Sequence, residues 1–128
     1  MNAFSAAGSY RNKRSEISLV STVGDYSAAV LLVREREFSK LVLNWIVETS
    51  IFSDPYDIIN NRHFKRIVSL GQPAIGLIIA EISANPSLLS EALKEITGEY
   101  PVQESSFGDL QAMANDWRKW WNLKRHAG

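Results

Sequence analysis

The chain has 128 residues, of which 45% are hydrophobic, 10% aromatic and 22% charged, an ordinary composition for one small globular domain. A chain of this length buries roughly two thirds of its extended surface, enough for a self-sufficient core; the absence of cysteine excludes disulfides, thiolate zinc sites, iron–sulfur clusters and cysteine nucleophiles. Fourteen basic and fourteen acidic residues cancel, but every acid lies between Glu16 and Asp116 among only seven basic residues, leaving a centre of net charge −7 between two basic ends and arguing against a uniformly basic nucleic-acid surface.

Residues 1–15 are basic and acid-free, with Arg11, Lys13 and Arg14 and no apolar run of signal-peptide length behind them. They read as a disordered tail rather than a secretion signal, and the expected compartment is the cytoplasm. The longest apolar stretches, Ala28 to Val33 and Ala74 to Ala80, fall far short of the ~20 residues that span a bilayer, so no membrane partner is expected. Residues 1–33 are expected to form a flexible N-terminal arm and 34–128 a helical domain. A β-hairpin turning at Gly24-Asp25, between Ser18 to Val23 and Tyr26 to Val33, competes with the arm.

From Arg34 the period becomes helical. Phe38, Leu41, Val42, Trp45 and Ile46 recur at spacings of three and four and share one stripe, with Glu35, Lys40, Asn44 and Glu48 facing outward. Ser53-Asp54-Pro55 supplies a cap and a first-turn proline for a short helix to about Asn61. His63, Phe64, Ile67, Val68 and Leu70 form the next stripe, which Gly71 closes as a left-handed cap. Ala74, Ile75, Leu77, Ile78, Ile79 and Ile82 are apolar around much of a helix, which is therefore expected at the centre, and Asn85-Pro86 ends it. Leu88, Leu89, Ala92, Leu93 and Ile96 make another stripe, closed by Gly98. After a connection of about ten residues, Ser106 and Asp109 stand at S-x-x-D spacing, with Ser106 expected to cap a last helix carrying Leu110, Met113, Trp117, Trp120 and Trp121 on one face. The expected fold class is all-α, a small antiparallel helical stack.

The segment Ile67-x-x-Leu70-Gly71-x-x-Ala74 resembles the turn that joins packed helices in HEAT-type pairs. More specifically, residues 38 to 121 resemble a family of small bacterial proteins of uncharacterised function. The matching residues are Trp45, Thr49 and His63, then Ile67, Leu70 and Gly71, the run Ala92-Leu93-x-x-Ile96-Thr97-Gly98-Glu99-x-Pro101-Val102, Gly108, and Trp117-x-x-Trp120. Leu88 and Leu89 depart from that pattern, which has aromatic residues before Ala92. The resemblance implies short packed helices and no reaction; HEAT-like pairs generally serve as scaffolds for other macromolecules.

Catalytic constellations are sparse. His63 and His126 are too few for a metal cluster or a histidine triad, no phosphate-binding glycine loop occurs, and neither a cofactor nor a small-molecule substrate is implied. Asp57 could orient His63 as a base, and Glu91, Glu95 and Glu99 form an i, i+4 ladder able to gather a divalent ion, but a buried histidine and a solvated helix face are the simpler readings. The segment Trp117 to Arg125 interleaves three indoles with Arg118, Lys119, Lys124 and Arg125. Such a set packs as a core stripe, binds protein as a hot spot, or stacks bases and neutralises phosphates. The expected role is non-enzymatic: an adaptor receiving a protein partner on Leu110, Trp117, Arg118, Lys119, Trp120, Trp121, Lys124 and Arg125. The alternative is an antitoxin, immunity protein or accessory subunit whose basic ends contact nucleic acid. At least one indole is expected to keep an exposed edge.

Overall fold

Helix α1, Val23–Thr49, opens the part of the chain that the computed structural model describes, residues 23–127, with side chains from Leu32 to His126. The described residues form six α-helices, three 3₁₀ turns and no strand, so the fold is all-α. The chain divides into two units at Arg36/Glu37. In the first, Tyr26 to Val33 are helical, which overturns the hairpin. The uninterrupted apolar run 28–33 fits a helix as well as a strand, and periodicity alone does not separate them. The expectation for residues 1–22 lies outside the described residues.

In the second unit, α1 buries Phe38, Val42, Trp45 and Thr49. Ile46, expected on that stripe, is instead 49% exposed, because the 100° step of a helix carries it to the margin of the buried arc. Trp45 closes the corner to the next helix, its Nε1 donating to the Ile58 carbonyl at 2.8 Å and its ring lying 5.8 Å from that of Phe64. Helix α2, Pro55–Ile59, starts where expected, with Asp54 accepting from the Tyr56 amide. Asn61 then caps α3, Arg62–Ser69, accepting from the amides of His63 and Phe64.

Gly71 ends α3 with φ 72° and ψ −151°. That is a positive φ, as expected, but with an extended ψ that is open essentially to glycine alone rather than the left-handed helical well. The 3₁₀ turn Gln72–Ala74 leads into α4, Ile75–Ala84, and the chain turns through 105° between α3 and the segment 72–84. Helix α4 buries Ile75, Ile78, Ile79 and Ile82 and packs against α5 and α6, the central place its composition predicts. Each such side chain contributes roughly 1.5–3 kcal/mol of hydrophobic free energy. No single described helix is long and apolar enough to cross a membrane.

Ser87 caps a 3₁₀ turn, Leu88–Ser90, that feeds α5, Glu91–Thr97; α5 buries Ala92 and Leu93 and ends on Gly98 in the left-handed well, φ 73° and ψ 5°. Helix α6, Leu110–Ala127, buries Met113, Ala114 and Trp117. Its cap is Asp109, whose carboxylate accepts from the Ala112 amide. Ser106, expected in that role, is buried and donates instead to Asp116 Oδ2 at 2.7 Å, because that carboxylate also takes the Gln103 amide at 3.1 Å and so fastens the connection onto the helix flank. The two hydrogen bonds, with Ser106 the stronger influence, hold the Asp116 carboxyl below its usual pKa.

Candidate interaction surface

The final helix places Trp117, Trp120, Trp121 and Lys124 along one side, as the 3.6-residue repeat requires. Trp117 is fully buried at 0% exposure, while Trp120 and Trp121 are half-buried. Trp121 rests over Gly76 of α4, where an added Cβ would stand 3.5 Å from its ring, an ordinary van der Waals contact. The Trp117 indole meets that of Trp120 edge to face at 5.3 Å, and Trp120 stacks on Trp121 at 6.3 Å. The string continues off the helix. Tyr100 meets Trp117 edge-on at 6.3 Å, and Phe107 lies 6.1 Å from Tyr100, giving five rings in series from Phe107 to Trp121.

Cations cover this string. Lys94 lies 5.0 Å from the Tyr100 ring centre, Lys124 5.7 Å from Trp120 and Arg125 5.9 Å from Trp121. Glu99, just past the α5 cap, accepts from Trp120 Nε1 at 3.0 Å and pairs with Lys124 at 3.2 Å. The Trp120 hydrogen bond, then Lys124, holds the Glu99 carboxyl below the usual carboxylate range. Burial, with the nearby Glu91 charge, pushes the Tyr100 phenol up.

No protein-family model, curated protein or solved structure matches the chain.

Of the residues assigned to a partner from sequence, Trp117 is corrected: it is buried in the core, and its Nε1, like the buried Ser90 hydroxyl, has no hydrogen-bond partner among the described residues. Lys119 is also displaced. It stands about 160° around α6 from Trp117 and is exposed on the far side. Arg118 is exposed on the flank, Leu110 is exposed at the first turn, and Lys124 and Arg125 are exposed but already folded over their neighbouring rings. The expected exposed edge is present twice, on Trp120 and Trp121. Tyr100 and Phe107, both exposed, were missed by the sequence reading. Their signal was available: two aromatic residues in a connection bounded by Gly98, Pro101 and Gly108 have no helical stripe to join.

The other constellations resolve differently. His63 pairs through Nε2 with Glu48 at 2.9 Å, not with Asp57. The same Glu48 carboxylate takes Arg62 at 2.6 Å and Asn61 at 3.2 Å, and Arg62 and His63 hold its pKa down at about 2. A carboxylate so saturated fastens the end of α1 to the start of α3 and is a poor proton acceptor. Glu99 leaves the expected ladder for Trp120 and Lys124, and the described residues contain no group of three or more His, Asp or Glu able to hold a metal ion. Glu91 and Glu95 instead rim an open groove of about 340 Å³ with Lys65 and Lys94, over Ile59, Phe64 and Val68.

Proposed function

We propose that this protein is a non-enzymatic protein-interaction domain, docking a partner on the aromatic string at the Phe107 and Tyr100 end and along the exposed edges of Trp120 and Trp121. The supporting observation is the string itself. Five rings in series, running from Phe107, 56% exposed, through Tyr100 to the fully buried Trp117 and on to Trp120 and Trp121, join the core to an apolar surface. Binding hot spots favour anchored aromatic side chains of this kind because little conformational freedom is lost when they are covered. Leu110 is exposed at the start of the same helix, and Arg118, exposed on its flank, adds positive charge suited to an acidic partner edge.

Nucleic acid is the weaker reading. Base stacking needs a free ring face and unpaired cations, whereas Lys124 and Arg125 already lie over Trp120 and Trp121, and Lys124 is matched by Glu99. The test is affinity capture of the tagged full chain from lysate of its source, with and without nuclease and at low and high salt. The reading expects a stoichiometric protein that survives both treatments and is lost with Phe107→Ser or Tyr100→Ser. A catch lost with nuclease, or one indifferent to both substitutions, refutes it.

A further inference from the structure

The open groove of about 340 Å³ lies between α3 and α5, with residues of α2 at one side. Ile59, Phe64 and Val68 give it an apolar floor, and Glu91 and Glu95 stand on its α5 wall. Neither carboxylate is in an ion pair among the described residues, although Glu91 is half-buried. The helix dipole favours Glu91 in the first turn of α5 but opposes Glu95 in the last, so nothing local accounts for an acid there. Lys65 faces them from α3, while Lys94 is drawn off over the Tyr100 ring at 5.0 Å. The charge left on the groove is therefore two carboxylates against one ammonium, which suits a cationic occupant.

We propose that this groove binds an extended segment of another protein carrying a basic–apolar–basic triplet, with the apolar side chain on the floor and the two cations on Glu91 and Glu95. Spacing supports this. Residues four apart on a helix stand about 6 Å apart along its axis, and alternate residues of an extended chain, which point the same way, stand about 6.6 Å apart. The residue between them points the other way, toward Phe64 and Val68 when the cations face α5. Openness supports a chain over a small molecule, because pockets for small ligands ordinarily bury about 70–90% of the ligand, whereas this groove leaves one side of its occupant in water. The side-chain amide of Asn60, on the same rim, offers a donor and an acceptor to a peptide backbone. The occupant is not this chain itself: nowhere in its sequence do two Lys or Arg residues flank an apolar one.

The test is a nuclear magnetic resonance titration of the isotope-labelled full chain with the peptide Gly-Ser-Lys-Leu-Lys-Ser-Gly, carried to millimolar concentration. The expected result is saturable shifts at the amides of Ile59, Val68 and Glu95, with Kd of about 0.1–1 mM for so short a probe. Glu91→Gln combined with Glu95→Gln is expected to weaken binding about tenfold with helical circular dichroism retained. Replacing the peptide's leucine by serine, or both its lysines by glutamate, is expected to abolish saturation. Shifts that never saturate, shifts centred on Trp120 and Trp121 instead, equal binding of either altered peptide, or indifference to the paired glutamine substitutions each overturns the proposal. Phe107→Ser leaves these shifts unchanged, so peptide binding in the groove and partner capture on the aromatic string fail or succeed separately.

Discussion

Replacing Trp117 with alanine removes the largest fully buried side chain in the structure. Truncating a buried tryptophan or phenylalanine ordinarily costs about 3–5 kcal/mol through lost transfer energy and the cavity left behind. Here the edge contacts with Trp120 and Tyr100 place the expected loss toward the upper end, about 4–5 kcal/mol. A domain of this size has about 5–15 kcal/mol in all, so the loss takes from about a quarter of it to nearly all. Trp117→Phe behaves differently. It keeps most of the ring, and it deletes an indole N–H that is buried without a partner, a group costing about 1–3 kcal/mol to bury unsatisfied. That saving offsets the smaller cavity, and the expected net change is within about 1 kcal/mol. Urea unfolding followed at 222 nm, with matched slopes, measures both. A Trp117→Ala loss below about 1 kcal/mol, or a Trp117→Phe loss equal to that of alanine, refutes the assignment of this residue to the core.

Gly71 and Gly98 both have positive φ with open space at the Cβ position, so alanine at either tests backbone strain alone. Gly98→Ala enters the left-handed well at a cost of roughly 1–2 kcal/mol, whereas Gly71→Ala meets a region closed to side chains and costs more, visible as the larger fall in melting temperature. Glu48, Glu99 and Asp116 all have folded-state pKa values depressed below their ordinary ones. Their stabilisation is fully present above about pH 4.5 and is lost as pH falls through the folded values toward 2, where Glu48 titrates. Glu48→Gln is expected to flatten that acid limb of the stability curve. In a titration followed by nuclear magnetic resonance, the Trp120 indole N–H should shift as Glu99 protonates below its usual range, and Glu99→Gln should abolish the shift.

Local chemistry made much of the fold legible. The isoleucines of α4, the Asp54-Pro55 start and the Gly98 stop each act within a few residues, and the structure has them where those rules place them. The failures are tertiary. The partner of His63 comes from fifteen residues upstream, on a different helix, and no spacing rule prefers Glu48 to the nearer Asp57. Ser106 has the right distance from Asp109 to cap a helix, but a carboxylate pairing ten residues on, with the half-buried Asp116, takes its hydroxyl instead. Trp117, Trp120 and Trp121 were correctly placed on one side of α6, whereas the division between core and surface depended on which neighbouring elements cover each ring, Trp121 resting over Gly76 of α4 while keeping an exposed edge. Ile46 shows the same limit, since an apolar arc wider than the neighbouring core can cover has to end in solvent or in another molecule.

The three indoles of α6 also form an optical device. Trp117 and Trp120 cross at 82° with 5.3 Å between centres, and Trp120 and Trp121 lie at 28° and 6.3 Å. At such separations the excited states are shared, so absorption acquires exciton splitting and emission loses its polarisation by hopping from ring to ring. Both signals depend on the mutual orientation of the rings, not merely on helix content. Near-ultraviolet circular dichroism therefore follows the docking of the last helix directly, in the unlabelled chain and on the timescale of mixing.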